Sequence, residues 1–129
     1  MSLSYMRVRN IMSNFTLVKD SLGHVRYSKV VAAFVRAARE KYYSHLSLED
    51  FCKSIGMGVS EYQDKIIGNE LFTSVDLISI CQFGNTSVLD FMKGIEDVLD
   101  AAEKEGLTVV RDMDRLSAYY ANKRSGSLH

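Results

Sequence analysis

The stretch LSLEDFCKSIGMGVSEYQDKIIGN, residues 46–69, contains the signals for two short helices joined by a tight turn. Ser47, followed three residues later by an acidic residue, is typical of a helix N-terminus, where a side-chain oxygen accepts from a backbone N–H. Gly56 can adopt the positive φ that ends such a helix sharply. A second helix is therefore predicted over residues 59–67, and Gly68 closes it.

Helical periodicity continues on both sides of this stretch. On the N-terminal side, the apolar stripe of KVVAAFVRAAREKYY predicts a helix over about residues 29–43, with Ser28 as its N-cap. On the C-terminal side, a helix is predicted over about residues 74–83, and a longer one begins at Ser87 and runs to about residue 105. The chain contains no proline, so only glycines and polar caps end its helices. The predicted fold class is all-α.

The two ends of the chain leave alternatives open. An apolar seam favours a helix over residues 4–22 that ends at Gly23, but a hairpin of FTLVK and HVRYS around the same glycine also fits. After Gly106, a last helix is predicted in the stretch LTVVRDMDRLSAYYANKR, residues 107–124, although LTVV alone could be a short strand.

Three segments follow from this pattern. Residues 29–95 form the predicted core, preceded by a helical extension over residues 1–28 and followed by another over residues 96–129. The chain has 129 residues, a length that suits one domain with its own core.

The formal net charge is zero, but it is unevenly distributed. Residues 1–45 carry eight Lys/Arg and two Asp/Glu, whereas residues 46–106 carry four Lys/Arg and twelve Asp/Glu. Residues 107–129 carry four Lys/Arg and two Asp/Glu. An overall field that attracts nucleic acid is therefore missing, and any attraction to phosphate must come from a local patch.

Several function classes find no support in the sequence. No apolar run is long enough to span a bilayer, and the N-terminus lacks the apolar core of a signal peptide, so we expect a cytoplasmic protein without a membrane partner. Cys52 and Cys81 each fall within an apolar helical pattern and are expected to be buried thiols. The three histidines lack metal-ligand spacing. Phosphate-binding glycine loops, GxSxG and HExxH are absent, so we expect neither an enzyme nor a metal or cofactor.

The residues of the opening stretch also match the mechanical needs of two closely crossing helices. A small residue is needed at the crossing, a glycine at the turn, and apolar residues behind the pair. Cys52 is the small residue and Gly56 the turn glycine. The bracing positions fall on Phe51, Ile55, Met57 and Tyr62, and the last of them on Lys65 beside Ile66.

With these positions, the chain resembles the lambda-repressor-like (Cro/XRE-type) helix-turn-helix family over about residues 29–95. SKVVAAFVRAAREKYY matches its first helix, SLEDFCKSIG its second helix and turn, and VSEYQDKIIGN its recognition helix. SVDLISICQFGN and TSVLDFMKG match the fourth and fifth helices. The resemblance implies a five-helix, sequence-specific DNA-binding transcriptional regulator. It also implies a homodimer, with residues 59–67 in the major groove of double-stranded DNA.

The same resemblance indicates the residues that would contact DNA. Three donors lie on the recognition helix, and three basic residues on the first helix could reach the phosphate backbone: Ser60, Gln63, Lys65, Arg36, Arg39 and Lys41. The chain departs from the family in having Leu48 where glutamine is common, and Ile66 and Ile67 where a glutamate-arginine pair is common. Glu61 and Asp64 on the recognition helix would repel phosphate.

The sequence leaves two further questions open, one about function and one about the oligomeric state. The acidic surface of residues 47–67 could instead bind a partner protein, making the chain a protein-interaction module. The apolar seam of residues 86–123 could pack onto the chain's own N-terminal helix, or it could form the interface of a symmetric dimer.

Overall fold

The computed structural model describes residue 15 and residues 18–112. This part of the chain is mostly helical, which confirms the all-α class. It contains five α-helices and one two-stranded sheet. In chain order, the elements are β1 Val25–Arg26, α1 Tyr27–Tyr42, α2 Leu48–Ser54, α3 Val59–Ile66, α4 Ser74–Phe83, α5 Val88–Lys104 and β2 Val109–Val110.

Helix α1 lies at the centre of the fold and contacts α3, α4, α5 and β1. Apolar residues at three- and four-residue spacing turn one broad stripe of this helix inward. The fully or nearly fully buried side chains of α1 are Val30, Val31, Ala32, Phe34, Val35, Ala37 and Ala38. The core therefore forms around the helix that also carries the basic residues Arg36, Arg39 and Lys41.

Helix α5 packs along α1 and α4 through the apolar seam that the sequence predicted. Ile95, Val98, Leu99 and Ala102 are buried in this contact. The described seam is thus used within the chain at these four positions, whereas Leu89 of the same helix is 77% exposed, and the symmetric dimer stays a prediction. It packs on α1 rather than on an N-terminal helix, and the part of the seam after residue 112 lies outside the described residues.

The segment before α1 turns back on itself instead of continuing a helix. Lys19 forms an antiparallel bridge with Val25, and the Asp20 carboxylate accepts hydrogen bonds from the backbone N–H groups of Leu22 and His24. An aspartate that satisfies its own neighbours in this way competes with helix formation. The predicted helix over residues 4–22 is therefore wrong at residues 18–22, where the hairpin alternative holds. Residues 1–14, 16 and 17 lie outside the described part.

The segment after α5 forms a strand, not the start of a helix. Val109 and Val110 of β2 pair in parallel with Val25 and Arg26 of β1, and the N–H of Val25 donates to the carbonyl of Thr108 at 2.9 Å. The helix predicted after Gly106 is thus wrong over residues 107–112, and the strand alternative for LTVV is confirmed. The rest of that predicted helix lies outside the described residues.

The N-terminus of α1 is capped by Asp112, which follows strand β2. Ser28 is not the N-cap, because the helix already begins at Tyr27 after Arg26, and Arg26 supplies no side-chain cap. The N–H of Ser28 donates to Asp112 Oδ1 at 2.9 Å, and its hydroxyl donates to Asp112 Oδ2 at 2.5 Å. Asp112 therefore provides, across 84 positions of sequence, the acceptor that a local N-cap normally supplies.

The turn between α2 and α3 has the geometry that the sequence predicted. The Ser47 hydroxyl accepts from the N–H of Asp50 at 3.1 Å at the start of α2. At its end, Gly56 has φ +72°, and the N–H of Met57 donates to the carbonyl of Cys52 at 2.9 Å. This pattern ends α2 at the glycine, and α3 begins three residues later, at Val59.

We expect Gly56→Ala to lower the free energy of unfolding by about 1–2 kcal/mol, because a Cβ disfavours the left-handed conformation. Nothing lies within 4 Å of a Cβ added at this position, so the effect reports backbone conformation and not a clash. Gly56→Asn should be milder, since asparagine tolerates a positive φ. Urea unfolding followed by circular dichroism measures both, and equal stability of the alanine and wild-type proteins would contradict the prediction.

Asp112→Ala should destabilise the fold by about 1–2 kcal/mol, because it removes the N-cap of α1. It also removes the ion pair with Arg26, whose Nη1 lies 3.5 Å from Asp112 Oδ2. Glu70→Ala is the matched control, since it removes the same charge from an exposed side chain. Urea midpoints of the two variants should differ, with only the Asp112 variant shifted to lower denaturant.

Candidate nucleic-acid interface

Helices α2 and α3 are held together by the bracing residues that the sequence identified. Phe51 is 0% exposed and Cys52 1%, and both are buried against the rest of the core. Ile55, Met57 and Tyr62 are also buried. These positions confirm the predicted inner faces of the two helices, and they fix which face of α3 points outward.

A row of edge-to-face aromatic contacts connects the C-cap residue of α1 with α2, α3 and the segment before α4. Ring centroids are 4.8 Å apart for Tyr43 and Phe51, 5.3 Å for Phe51 and Tyr62, and 6.2 Å for Tyr62 and Phe72. Such pairs favour one relative orientation of the elements that carry them. The row therefore fixes α3 against α1, which determines where the outer face of α3 lies.

The outer face of α3 carries polar side chains in the first and second turns. Ser60 and Gln63 are exposed, as the prediction of DNA donors requires. Glu61 is exposed beside them, and Asp64 is half-buried. Two of the three predicted donors of this helix are thus exposed, together with one of the two carboxylates expected to repel phosphate.

Lys65 does not belong to this outer face. It is 6% exposed, and its ammonium lies 2.5 Å from Asp76 Oδ2 and 2.9 Å from Glu61 Oε2. Burial lowers the pKa of Lys65, but the hydrogen bonds and charges of Asp76 and Glu61 outweigh burial and raise it. The prediction that Lys65 is an outward donor is corrected: its long apolar stem occupies a bracing position, and its charge is used inside the protein.

The partner of Lys65 was not foreseen from the sequence. Asp76 forms a full capping box with Thr73 at the start of α4: the Thr73 hydroxyl accepts from the N–H of Asp76, and the Asp76 carboxylate accepts from the N–H of Thr73. The spacing of Thr73 and Asp76 is itself a signal for this cap. Its pairing with Lys65 depends on how α3 and α4 meet, which no local pattern shows.

The three basic residues of α1 differ in how they lie relative to α3. Arg36 is exposed and donates from Nη2 to the carbonyl of Ile66 at 3.2 Å, at the C-terminal end of α3. Arg39 is half-buried, with Cζ 5.4 Å from the Phe51 ring centroid and 5.9 Å from that of Tyr62. Lys41 instead lies over the ring of Tyr42, 5.2 Å from its centroid. The structure therefore brings Arg36 and Arg39 to α3, and it places Lys41 against another residue of its own helix.

An open groove of about 440 Å³ lies between α1 and α3. Its lining combines two arginines and a glutamate with two tyrosines, a serine and two aliphatic side chains: Arg36, Arg39, Glu40, Tyr43, Ser44, Leu46, Tyr62 and Ile66.

The two tyrosines are buried, and burial raises the pKa of both phenols. For Tyr62 the hydrogen bond and charge of Arg39 act in the opposite direction, but burial is the larger effect. The hydroxyl of Tyr43 donates to the carbonyl of Ile80 at 2.9 Å, and burial raises the pKa of Tyr43 to about 12.

The cysteines have the positions expected of buried thiols. Cys52 and Cys81 are both free and buried. Burial raises the pKa of the Cys81 thiol to about 11 and also raises that of Cys52. A thiol that stays protonated at neutral pH is a poor nucleophile and a poor metal ligand. Among the residues that the structure describes, no group of three or more His, Cys, Asp or Glu side chains could hold a metal ion.

No helix within the described ranges has both the length and the apolar character needed to cross a membrane.

No protein-family model matches the chain, and neither the curated proteins nor the solved structures include one with significant similarity to it. The resemblance of residues 29–95 to the lambda-repressor-like family therefore rests on the sequence pattern alone.

Lys65→Met should lower the free energy of unfolding by roughly 1–3 kcal/mol, because the Asp76 carboxylate loses its cationic partner in a partly buried site. Methionine keeps the apolar stem, so packing changes little. Lys53→Met is the matched control, since Lys53 lies exposed on α2.

The same pair should make stability depend on alkaline pH. The folded-state pKa of Lys65 lies above the ordinary value of 10.5, so its contribution is fully present below pH 10.5 and is lost as pH rises through the folded-state pKa. Urea midpoints across this range should fall less in Lys65→Met than in the wild type. Parallel curves for the two proteins would contradict the assigned ion pair.

Proposed function

We propose that the chain is a sequence-specific DNA-binding transcriptional regulator that places α3 in the major groove. The observation that carries this proposal is the arrangement of α2 and α3: a capped helix, a left-handed glycine turn, and a second helix braced from behind with Ser60 and Gln63 exposed. Helix-turn-helix proteins present their recognition helix in this way. The resemblance to the lambda-repressor-like family over five successive helices supports the same conclusion.

Base recognition falls to the exposed polar residues of α3. Glutamine can bind adenine through two hydrogen bonds at N6 and N7, and serine can bind several base edges. Glu61 can accept from the N4 amino group of cytosine, although it also pairs with Lys65 at 2.9 Å. Gln63 is therefore the principal candidate for sequence discrimination, with Ser60 beside it one turn earlier.

Backbone contacts fall to the basic residues of α1. Arg36 and Arg39 lie beside α3, where their guanidinium groups can meet phosphates that flank the groove, and Lys41 adds a charge further along the helix. Phosphate neutralisation supplies most of the affinity of such complexes. With Lys65 engaged by Asp76, these three residues carry the electrostatic attraction that α3 itself lacks.

The functional unit in this proposal is a homodimer. A recognition helix of this size contacts only a few base pairs, and proteins of this kind bind two half-sites about 34 Å apart along the duplex. Two-fold symmetry of the protein then matches a palindromic site. Sedimentation equilibrium of the full chain with and without duplex measures this stoichiometry directly.

The DNA proposal predicts binding to a randomised duplex pool at low salt, with affinity that falls steeply as salt rises. Gln63→Ala should change which sequences are selected from the pool, and Arg36→Gln should weaken all sequences alike. The loss of one phosphate contact should also reduce the slope of log affinity against log salt by about 1. Lys93→Gln, which removes a charge from the exposed surface of α5, is the control. Fluorescence anisotropy without any salt-dependent binding would overturn the proposal.

A second candidate is a protein-interaction module, and the burial of Lys65 is the observation that favours it. With that ammonium inside, the exposed or partly exposed charges of α2 and α3 are four carboxylates and one lysine: Glu49, Asp50, Glu61, Asp64 and Lys53. This acidic surface fits a partner with a basic face. An oligolysine peptide added to the ¹⁵N-labelled protein should then shift the amide signals of these carboxylate residues, whereas duplex DNA should shift those of Ser60 and Gln63.

A further inference from the structure

Helix α4 carries apolar side chains on both its inner and its outer side. Leu77, Ile80 and Cys81 are buried, whereas Val75 is 71% exposed and Ile78 50%. Val75 and Ile78 are three positions apart, so they lie on the same face of the helix. A helix that is apolar all round is normally covered on every side. The outer face of α4 is therefore suited to a contact that the single chain does not supply.

The exposed aliphatic side chains of the described residues cluster at this place. Five large apolar side chains are half exposed or more, and three of the five fall within residues 75–89: Val75, Ile78 and Leu89. Leu89 lies in the first turn of α5, which residues 84–87 connect to the end of α4. Single exposed apolar residues are ordinary, but a cluster of them marks an interaction surface.

The outer face of α4 is also uncharged. Asp76 is the one charged residue of this helix, and its carboxylate is used inside the protein, where it accepts from Lys65 Nζ at 2.5 Å and from the N–H of Thr73 at 2.9 Å. The polar residues exposed on α4, Ser74 and Gln82, are neutral. In a two-fold interface, residues near the axis meet their own copies, so a charge there would meet the same charge. A neutral, apolar face avoids this repulsion and suits a second copy of the chain.

We propose that the outer face of α4 is the interface of a two-fold homodimer, with Val75 and Ile78 of each protomer at its centre and Leu89 at its edge. Each protomer contributes the same patch, so six aliphatic side chains are covered by one contact. An interface built on so few side chains belongs to the small, transient class. We therefore expect a reversible equilibrium between monomer and dimer.

The interface is connected to α3 through one ion pair. Val75 points outward, while its neighbour Asp76 holds the ammonium of Lys65 on α3. Pairing of two α4 helices therefore sets the relative position of the two α3 helices, and it leaves Ser60 and Gln63 free for DNA. This consequence rests on the proposed DNA-binding function, whereas the interface itself does not.

Sedimentation equilibrium of the full chain without DNA, over a concentration series from micromolar to millimolar, tests the interface. The wild type should approach the mass of a dimer. Val75→Asp should raise the dissociation constant of the dimer at least about tenfold, because two carboxylates then meet inside the contact. Leu22→Asp is the matched control, since Leu22 is 74% exposed in the turn before α1, and it should leave the constant unchanged. Circular dichroism checks that both variants fold.

Amide signals of the ¹⁵N-labelled protein locate the contact. Those of Val75, Ile78 and Leu89 should shift with protein concentration in the wild type and in Leu22→Asp, but not in Val75→Asp. Three outcomes overturn the interface: a protein that stays monomeric throughout the series, a dimer that a folded Val75→Asp variant forms equally well, or concentration-dependent shifts that spare α4.

Anisotropy titrations with duplex DNA separate the interface from the proposed function. A dimer that forms through α4 but binds no DNA would refute the function and keep the interface. DNA binding by a protein that stays monomeric without DNA, with equal affinity for the wild type and Val75→Asp, would refute the interface and keep DNA binding.

Discussion

The contact between the rings of Phe51 and Tyr62 is the interaction on which the rest of the functional surface depends. Phe51 is fully buried, and its ring meets Tyr43 on one side and Tyr62 on another, with the Arg39 guanidinium nearby. One side chain of α2 therefore determines how α3 lies against α1. The exposed position of Gln63, the reach of Arg36 to the end of α3 and the groove between the two helices all follow from that orientation.

Lys65 shows how a single burial changes the electrostatics of a surface. In the sequence it balances two neighbouring carboxylates of the recognition helix, and in the structure its charge is turned inward to Asp76 at the start of α4. The pairing joins α3 to α4. The same ammonium also pairs with Glu61 of its own helix at 2.9 Å, so it offsets Glu61 and Asp76 but does not pair with Asp64. The basic residues of α1 are then the near source of positive charge for any anionic ligand of this face.

The sequence predicts the elements of the core well, because their signals are local. The Ser47 cap, the Gly56 turn and the apolar positions of α5 each lie within one or two helical turns of the residues that they organise. The strand at Val109 and the cap from Asp112 could not be predicted in this way, because each depends on a partner distant in sequence. The hairpin before α1 is local, but the same residues also carry an apolar helical seam, and the hydrogen bonds of Asp20 decide between the two. For the candidate site, the exposure of Ser60 and Gln63 follows from the helical pattern, but the burial of Lys65 and the groove beside Arg36 depend on how helices cross, which periodicity does not encode.

The contact of Asp112 with Ser28 also bears on the order in which the chain can fold. A ribosome releases α1 long before residue 112, so the central helix is made without the acceptor for its first turn and without the β2 strand that pairs with β1. Short isolated helices are marginal in water, and their stability comes from packing that is still absent at this stage. The helix that begins the core in sequence is therefore among the last parts to be completed. In the folded state, the β1–β2 pairing brings the N-terminal and C-terminal parts of the described segment together.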